Sequence, residues 1–105
     1  MYSEGDILVT NCHDYPLLIC KHYGIVAVID HKLCVFNNTP SKVNKVGGNI
    51  VCQPINDFLS DRKVIAVKKT NIKTDEILKY CQPRKNAKWT MAYNCEKFIR
   101  ELAKH

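Results

Sequence analysis

The chain has 105 residues, 46% hydrophobic and 25% charged, which is the composition of one ordinary globular domain over residues 1–105. Its longest apolar run, around 24–29, is too short for a membrane-spanning helix. The net charge of +6 is spread along the sequence. This pattern favours an ordinary solvated surface, and weak contact with an anionic membrane is the alternative. Nucleic-acid binding is disfavoured because the sequence has no motif that combines aromatic and basic residues. Residues 1–6 have neither a basic start nor an apolar stretch, so we expect a cytoplasmic protein.

The first half of the chain predicts strands. The longest is rich in β-branched and aliphatic residues and is apolar on both faces, as in a central strand. A polar turn at Asp30–Lys32 leads into a return strand, which Asn37–Pro40 is expected to end. The predicted strands of this half are Ile7–Thr10, Leu17–Ile29, Leu33–Phe36 and Ile50–Gln53.

The second half predicts helices with one strand between them. Pro54 is a favoured first-turn residue for a short helix, and Thr74 with the two acidic residues after it is typical of a helix cap and first turn. Strands in a run followed by helices give an α+β class, with an antiparallel sheet packed against helices. The predicted elements are a helix at Ile55–Leu59, a strand at Val64–Lys69, a helix at Thr74–Tyr80 ended by Pro83, and a last helix at Asn94–Lys104.

The last helix carries a cysteine in its first turn. Cys95, Phe98, Ile99 and Leu102 follow the spacing of one helical face, and Asn94 suits the N-cap position. Unpaired backbone N–H groups and the positive end of the helix dipole stabilise a thiolate there, and the thiolate is the reactive form of cysteine. The position favours a nucleophile. The plainer interpretation is that Cys95 is the first core residue of an amphipathic helix.

The other cysteines show no metal-binding spacing. No two of the six are separated by only two residues, and without a secretory signal most are expected to be buried free thiols. Cys20 and Cys34 lie in apolar strands, so we expect them in the core. A zinc site is a minor alternative because its spacing is irregular; it would use Cys12, His13, Cys20 and His22.

His22 is the histidine that stands inside an apolar strand, where an imidazole must be hydrogen-bonded or functional. With a turn over the four residues 29–32, counting back along the hairpin places Asn37 opposite Gly24. Asn37 then shares a face with His22 as a diagonal neighbour, about 7–8 Å away at Cα. Its carbonyl could accept from one imidazole nitrogen and leave the other for Cys95. A core histidine and a turn asparagine are the plainer interpretations.

Four blocks spread over nearly the whole chain carry a family resemblance: Gly5–Leu8, His22–Val26, Val35–Pro40 and Asn94–Phe98. With these blocks the chain resembles the LRAT-like H-box/NC family, named for lecithin:retinol acyltransferase. This family is a circularly permuted branch of the NlpC-type papain-like superfamily. Lys97 stands where the family has a histidine that is not its base. Many animal relatives have histidine at the position of Asn37, and the wider superfamily also accepts asparagine there.

The resemblance implies a permuted papain-like fold and acyl transfer through a thioester. Cys95 would be the nucleophile, His22 the base and Asn37 the residue that orients it. The backbone N–H of Cys95 is the expected oxyanion donor, and the remaining cleft candidates are Tyr23, Tyr93 and Asn94. The expected substrate is an ester or amide, with a phospholipid-type acyl donor first, and no cofactor or metal is required.

Two alternatives come from other functional classes. The first is a non-enzymatic interaction module of the kind found in picornaviral H-box/NC proteins. The second is a thiol redox sensor in which Cys95 pairs with Cys12 or Cys20. A reactive thiol beside an open cleft would favour the enzyme. An inert thiol and a cleft filled by a loop or an aromatic side chain would favour the interaction module.

Overall fold

The computed structural model describes residues 2–11, 21–38, 50–60, 63–84 and 95–104. They form an α+β fold with one five-stranded antiparallel sheet in the order β4-β3-β2-β1-β5, so the strand predicted to be central is central. No helix within these ranges is long and apolar enough to cross a membrane. The elements are β1 Ile7–Asn11, β2 Lys21–Ile29, β3 Lys32–Asn38, β4 Ile50–Pro54, α1 Ile55–Leu59, β5 Val64–Lys68, α2 Thr74–Cys81, a 3-10 turn Gln82–Arg84 and α3 Cys95–Lys104.

One side of the sheet, which we call the apolar face, packs against α2 and α3. Ile7 pairs with Ile25, and Phe36 lies next to Ile25 on β3. Because side chains alternate along a strand, these residues share this face. They form one core cluster with buried residues of the two helices, namely Ile77, Tyr80, Cys81, Ile99 and Leu102. Burial of Ile99 and Leu102 confirms these two positions of the predicted buried side of α3.

The other side, which we call the polar face, packs against α1. Phe58 of α1 forms a second core cluster with Leu8, Val26 and Val35. A Cβ atom at Gly24 would lie 2.5 Å from Val35 Cγ1 and 3.1 Å from the Phe58 ring. Glycine at this position therefore makes room for the aromatic ring to rest on the centre of the sheet.

The β2–β3 hairpin fixes the register of the sheet centre. Val28 pairs with Leu33 and Ile29 with Lys32, as the four-residue turn predicts. Asp30 and His31 form the two-residue loop with φ of 52° and 64°. Two left-handed residues are typical of a type I′ turn, whose twist matches the flanking strands. Ile25 pairs with Phe36, and extending this register by one residue places Asn37 across from Gly24.

Three sequence predictions need correction. Asn37 and Asn38 continue β3, because pairing with Val51 and Ile50 of β4 extends the strand past the expected stop. Thr74 is the first helical residue of α2 rather than its cap; the cap position is Lys73, and no side chain bonds there.

The third correction concerns Cys34, which was expected in the core but is half-buried because β3 lies beside the edge strand β4. Residues 17–20 of the predicted central strand, together with Cys12, His13 and Cys20, lie outside the described residues.

Candidate functional site

A histidine–asparagine pair lies on the polar face at the centre of the sheet. His22 Nε2 and Asn37 Oδ1 are 3.0 Å apart, and both side chains are buried. The hairpin register places the two residues diagonally across β2 and β3 on one face, as the sequence predicts. The structure therefore brings together two of the three residues of the expected triad.

A second amide fixes the orientation of Asn37. Its Nδ2 donates to Gln53 Oε1 at 3.1 Å and to the Val35 carbonyl at 3.4 Å. With Nδ2 occupied in this way, Oδ1 is the atom that faces His22. The imidazole Nε2 is then the donor, and in the neutral ring Nδ1 carries the acceptor lone pair. This tautomer is the one that can take a proton from a nucleophile at Nδ1.

The side chains of His22, Asn37 and Gln53 form a line across β2, β3 and β4. Asn37 pairs with Val51 and Val35 with Gln53 in the β3–β4 ladder, so Gln53 is a diagonal neighbour of Asn37. The His22–Asn37 contact is the corresponding diagonal in the β2–β3 ladder. We call His22, Asn37 and Gln53 the polar relay. Two hydrogen bonds join the three side chains, so the buried Asn37 amide is paired through both its oxygen and its nitrogen.

The His22 ring is enclosed. Only 5% of the residue is exposed, and its ring centroid lies 5.7 Å from that of Phe58, with the two planes tilted by 31°. Thr10 lies directly across from His22 on β1 and donates from Oγ1 to the His22 carbonyl at 3.4 Å. Packing against Phe58 on one side and the relay on the other limits the rotation of the imidazole.

The helix that carries Cys95 lies on the opposite side of the sheet. α3 begins at Cys95, one residue after the predicted start, and its Ile99 and Leu102 pack on the apolar face. The side chains of Cys95 and Phe98 lie outside the described part of the structure, as does the whole of Asn94. Because His22 is the second residue of β2, its ring lies near a strand end. A thiol at the start of α3 reaches the imidazole only around that end.

Of the remaining cleft candidates, the structure places one. Tyr23 follows His22 in β2 and therefore points to the other side of the sheet, where it is half-buried against the apolar-face cluster. It is thus on the side of α3 and not on the side of the imidazole. Tyr93 is outside the described residues, as is Asn94.

A buried carboxylate also lies on the polar face. Val26 N donates to the Asp6 carbonyl, which places Asp6 across from Val26, and Asp6 is 1% exposed. Its Oδ2 accepts from Ser3 N and from Lys69 Nζ, each at 2.9 Å. Burial raises the pKa of Asp6, but the hydrogen bonds from Lys69 and Ser3 outweigh it, and the pKa lies below its ordinary value. We interpret this carboxylate as structural because its partners come from its own turn and from Lys69, the residue after β5.

The described part of the chain contains no cluster of three or more histidine, cysteine or acidic side chains able to hold a metal ion. Comparison with protein-family models, with curated protein sequences and with solved structures finds no match to this chain.

Sequence reasoning missed Gln53 and Phe58. Gln53 is a polar residue that follows the apolar stretch Ile-Val-Cys. This is a weak signal, because it indicates a partner for Asn37 only once β4 is known to pair with β3. Phe58 lies in the predicted short helix, but nothing local indicates which side of the sheet that helix covers. The signal for Phe58 is Gly24, whose missing side chain leaves space in a strand of large residues.

Proposed function

We propose that the protein is a thiol-dependent acyltransferase or hydrolase in which Cys95 is the nucleophile, His22 the base and Asn37 the orienting residue. The observation that carries the proposal is the buried bond of 3.0 Å between His22 Nε2 and Asn37 Oδ1. Burial of an imidazole is costly unless its polar atoms are satisfied. The relay gives the imidazole a hydrogen-bond partner at Nε2 and makes Nδ1 the acceptor nitrogen. A general base needs an acceptor nitrogen that is held in this way.

The reaction follows from these roles. His22 takes the thiol proton of Cys95, and the thiolate attacks the carbonyl carbon of an ester or amide. Backbone N–H groups at the start of α3 lack helical partners, so the N–H of Cys95 can bind the oxyanion. His22 then gives the proton to the leaving alcohol or amine, which leaves a thioester. Water or an acceptor alcohol or amine, deprotonated by His22, attacks the thioester and releases the thiol.

The permuted papain-like fold belongs to this proposal. Support comes from the antiparallel sheet, the histidine on an early strand and the last helix that begins at Cys95. The proposal requires the first turn of α3 to lie beyond the Lys21 end of β2, because the sheet otherwise separates the thiol from the imidazole. For a substrate we favour phospholipid-type acyl donors, since a net charge of +6 draws a small domain to anionic surfaces.

A second candidate function is a non-enzymatic interaction module. Two observations favour it: the Phe58 ring packs against a nearly buried His22, and the body of α3 lies on the other side of the sheet. In this case the polar relay would serve the fold. Its three residues would specify the register of β2, β3 and β4, and the cysteine would be an ordinary thiol.

The deciding experiment is the pH dependence of iodoacetamide alkylation at Cys95, followed on the tryptic peptide 89–97, which contains no other cysteine. The variants are His22→Gln, which keeps an amide donor for Asn37 but is not a base, and His22→Ala. The matched control is His31→Asn, which removes an exposed turn histidine and tolerates its positive φ. Circular dichroism establishes that each variant is folded.

The enzyme proposal predicts that Cys95 reacts well below the ordinary thiol pKa of about 8.5. Both His22 variants should slow this reaction at neutral pH, and His31→Asn should not. Cys95→Ala should then lower ester and phospholipid hydrolysis by a factor of about 10³ or more. Alkylation that follows an ordinary thiol titration and ignores His22 would contradict the enzyme and support the interaction module.

A further inference from the structure

Cys34 and Cys52 lie on neighbouring strands and on the same side of the sheet. Phe36 pairs with Cys52 and Cys34 pairs with Pro54, so the two cysteines are diagonal neighbours across β3 and β4. Both are free thiols; Cys34 is half-buried and Cys52 is exposed. Because β4 is an edge strand, the pair stands at the margin of the sheet, where a small solute can reach it.

The two thiols also interact. Partial burial, the charge of Cys34 and a hydrogen bond with Cys34 together raise the pKa of the Cys52 thiol to about 12. Cys52 therefore keeps its proton at neutral pH, where little of the reactive thiolate is present. The diagonal register places both side chains on one side of the sheet in the reduced protein, where Cys34 Sγ also contacts the Lys32 carbonyl at 3.9 Å.

We propose that Cys34 and Cys52 form a modification site that reacts with a peroxide and closes into a reversible disulfide between β3 and β4. The Cys34 thiolate attacks one oxygen of hydrogen peroxide, the O–O bond breaks, and Cys34 becomes a sulfenic acid as hydroxide leaves. The Cys52 sulfur then attacks the sulfenic sulfur and displaces its hydroxyl group. The Cys52 proton leaves with that hydroxyl group as water. Two thiols are oxidised, and the peroxide is reduced.

The order of the two steps follows from the electrostatics of the pair. Once Cys34 is a neutral sulfenic acid, its thiolate charge no longer opposes ionisation of Cys52. The first oxidation therefore removes one of the causes that raise the pKa of the Cys52 thiol, and this favours closure. This site is independent of the acyl-transfer chemistry proposed above, since neither cysteine belongs to the polar relay.

The position of the pair also accounts for reversibility. Diagonal neighbours in an antiparallel ladder are about 7–8 Å apart at Cα, whereas disulfides span about 4.4–6.8 Å. Closure must shorten this Cα separation by about 1–2 Å, and β4 is the edge strand, paired with β3 in the described sheet. Exposed or strained disulfides are the readily reduced ones.

The test treats the full chain with a small molar excess of hydrogen peroxide and maps its cysteines by mass spectrometry after non-reducing tryptic digestion. Cys34 and Cys52 fall in separate peptides, 33–42 and 46–62, with one cysteine each. The variants are Cys34→Ser and Cys52→Ser, and Cys81→Ala of α2 is the matched control. A mixture of isotopically light and heavy protein distinguishes linkage within a chain from linkage between chains.

The proposal predicts a linked pair of these two peptides from the same chain, lost on treatment with dithiothreitol. Cys52→Ser should instead trap Cys34 as a sulfenic acid, detected with dimedone, and Cys81→Ala should form the link as readily as the parent protein. Three results would overturn it: Cys34 oxidised to sulfinic acid without a link, Cys34 linked to a different cysteine, or equal yields in native and urea-unfolded protein.

Discussion

The two faces of the sheet are built on different principles. The apolar face buries aliphatic and aromatic side chains between the strands, α2 and α3. On the polar face a small apolar cluster around Phe58 shares the surface with Asp6, Thr10, His22 and Asn37. These four are the buried polar residues of the described chain, and all four lie on this face.

The two faces contribute differently to the fold: one to its stability and the other to the specificity of strand alignment. Apolar contacts are roughly additive with area and tolerate substitutions of similar volume. A buried hydrogen-bond chain adds little net free energy, yet it penalises every arrangement that leaves one of its members unpaired. The apolar face should therefore hold the fold together, and the polar face should fix how β2, β3 and β4 are aligned.

The largest effect is expected from truncating the aromatic ring of the polar face. Phe58→Ala should lower the free energy of unfolding by about 3–5 kcal/mol, measured by urea denaturation. It should also expose His22 to diethyl pyrocarbonate. Ile99→Ala, a comparable truncation on the apolar face, should cost about 2–5 kcal/mol without exposing His22. Equal His22 modification in both variants would mean that the two faces are not independent.

Asn37→Ala should cost about 1–3 kcal/mol, because it leaves the His22 ring and the Gln53 carbonyl oxygen without their buried partner. Gln53→Leu is the matched variant, since it removes only the outer acceptor, and it should cost about 1 kcal/mol or less. Nitrogen-detected NMR of the His22 ring should show loss of the single Nε2–H tautomer in the first variant and its retention in the second. A mixed tautomer in the parent protein would contradict the relay.

Gly24→Ala should destabilise the protein by about 1–3 kcal/mol, since the added methyl would lie 2.5 Å from Val35 Cγ1. The physical cause is overpacking, so the cost should fall when Val35→Ala is made in the same chain. A double-mutant cycle by urea denaturation measures this coupling. Additive costs would show that the backbone, rather than the side-chain contact, opposes the substitution.

The smallest effect concerns acid stability. The pKa of Asp6 is lowered in the folded chain, so the unfolded chain binds its proton first as the pH falls. The stabilisation is therefore fully present above the ordinary pKa of 3.8 and is lost as the pH drops through the folded pKa. Asp6→Asn should cost on the order of 1 kcal/mol at neutral pH and flatten the stability curve below pH 4. An unchanged curve, from thermal melts across this range, would assign acid sensitivity to other groups.

The sequence predicted what local signals determine. The alternation of β2 and β3 and the two-residue turn are enough to put His22 and Asn37 on one face, and the i, i+3, i+4 spacing is enough to locate α3. The side of the sheet that each helix covers is set by contacts far apart in the chain, so neither Phe58 against Gly24 nor the position of α3 could be predicted.

The same limit explains the wrong cap at Thr74. Locally, threonine before two acidic residues is a good N-cap. In the fold its hydroxyl contacts the Glu4 carboxylate, and Val28 N donates to that same hydroxyl at 2.8 Å. These partners come from the first residues of the chain and from the end of β2. The Thr74 hydroxyl is therefore engaged in long-range hydrogen bonds and does not cap the helix.

The left-handed pair Asp30 and His31 has a consequence for the order of folding. The hairpin it closes contains both His22 and Asn37, so this contact spans 15 residues and can form on the microsecond scale typical of hairpins. The contacts of α3 with the sheet instead join residues far apart in the sequence, and such long-range contacts form late. The imidazole and its amide should therefore be assembled before the cysteine helix docks. During translation, the ribosome would release this half of the site well before the residue it is proposed to activate has been synthesised.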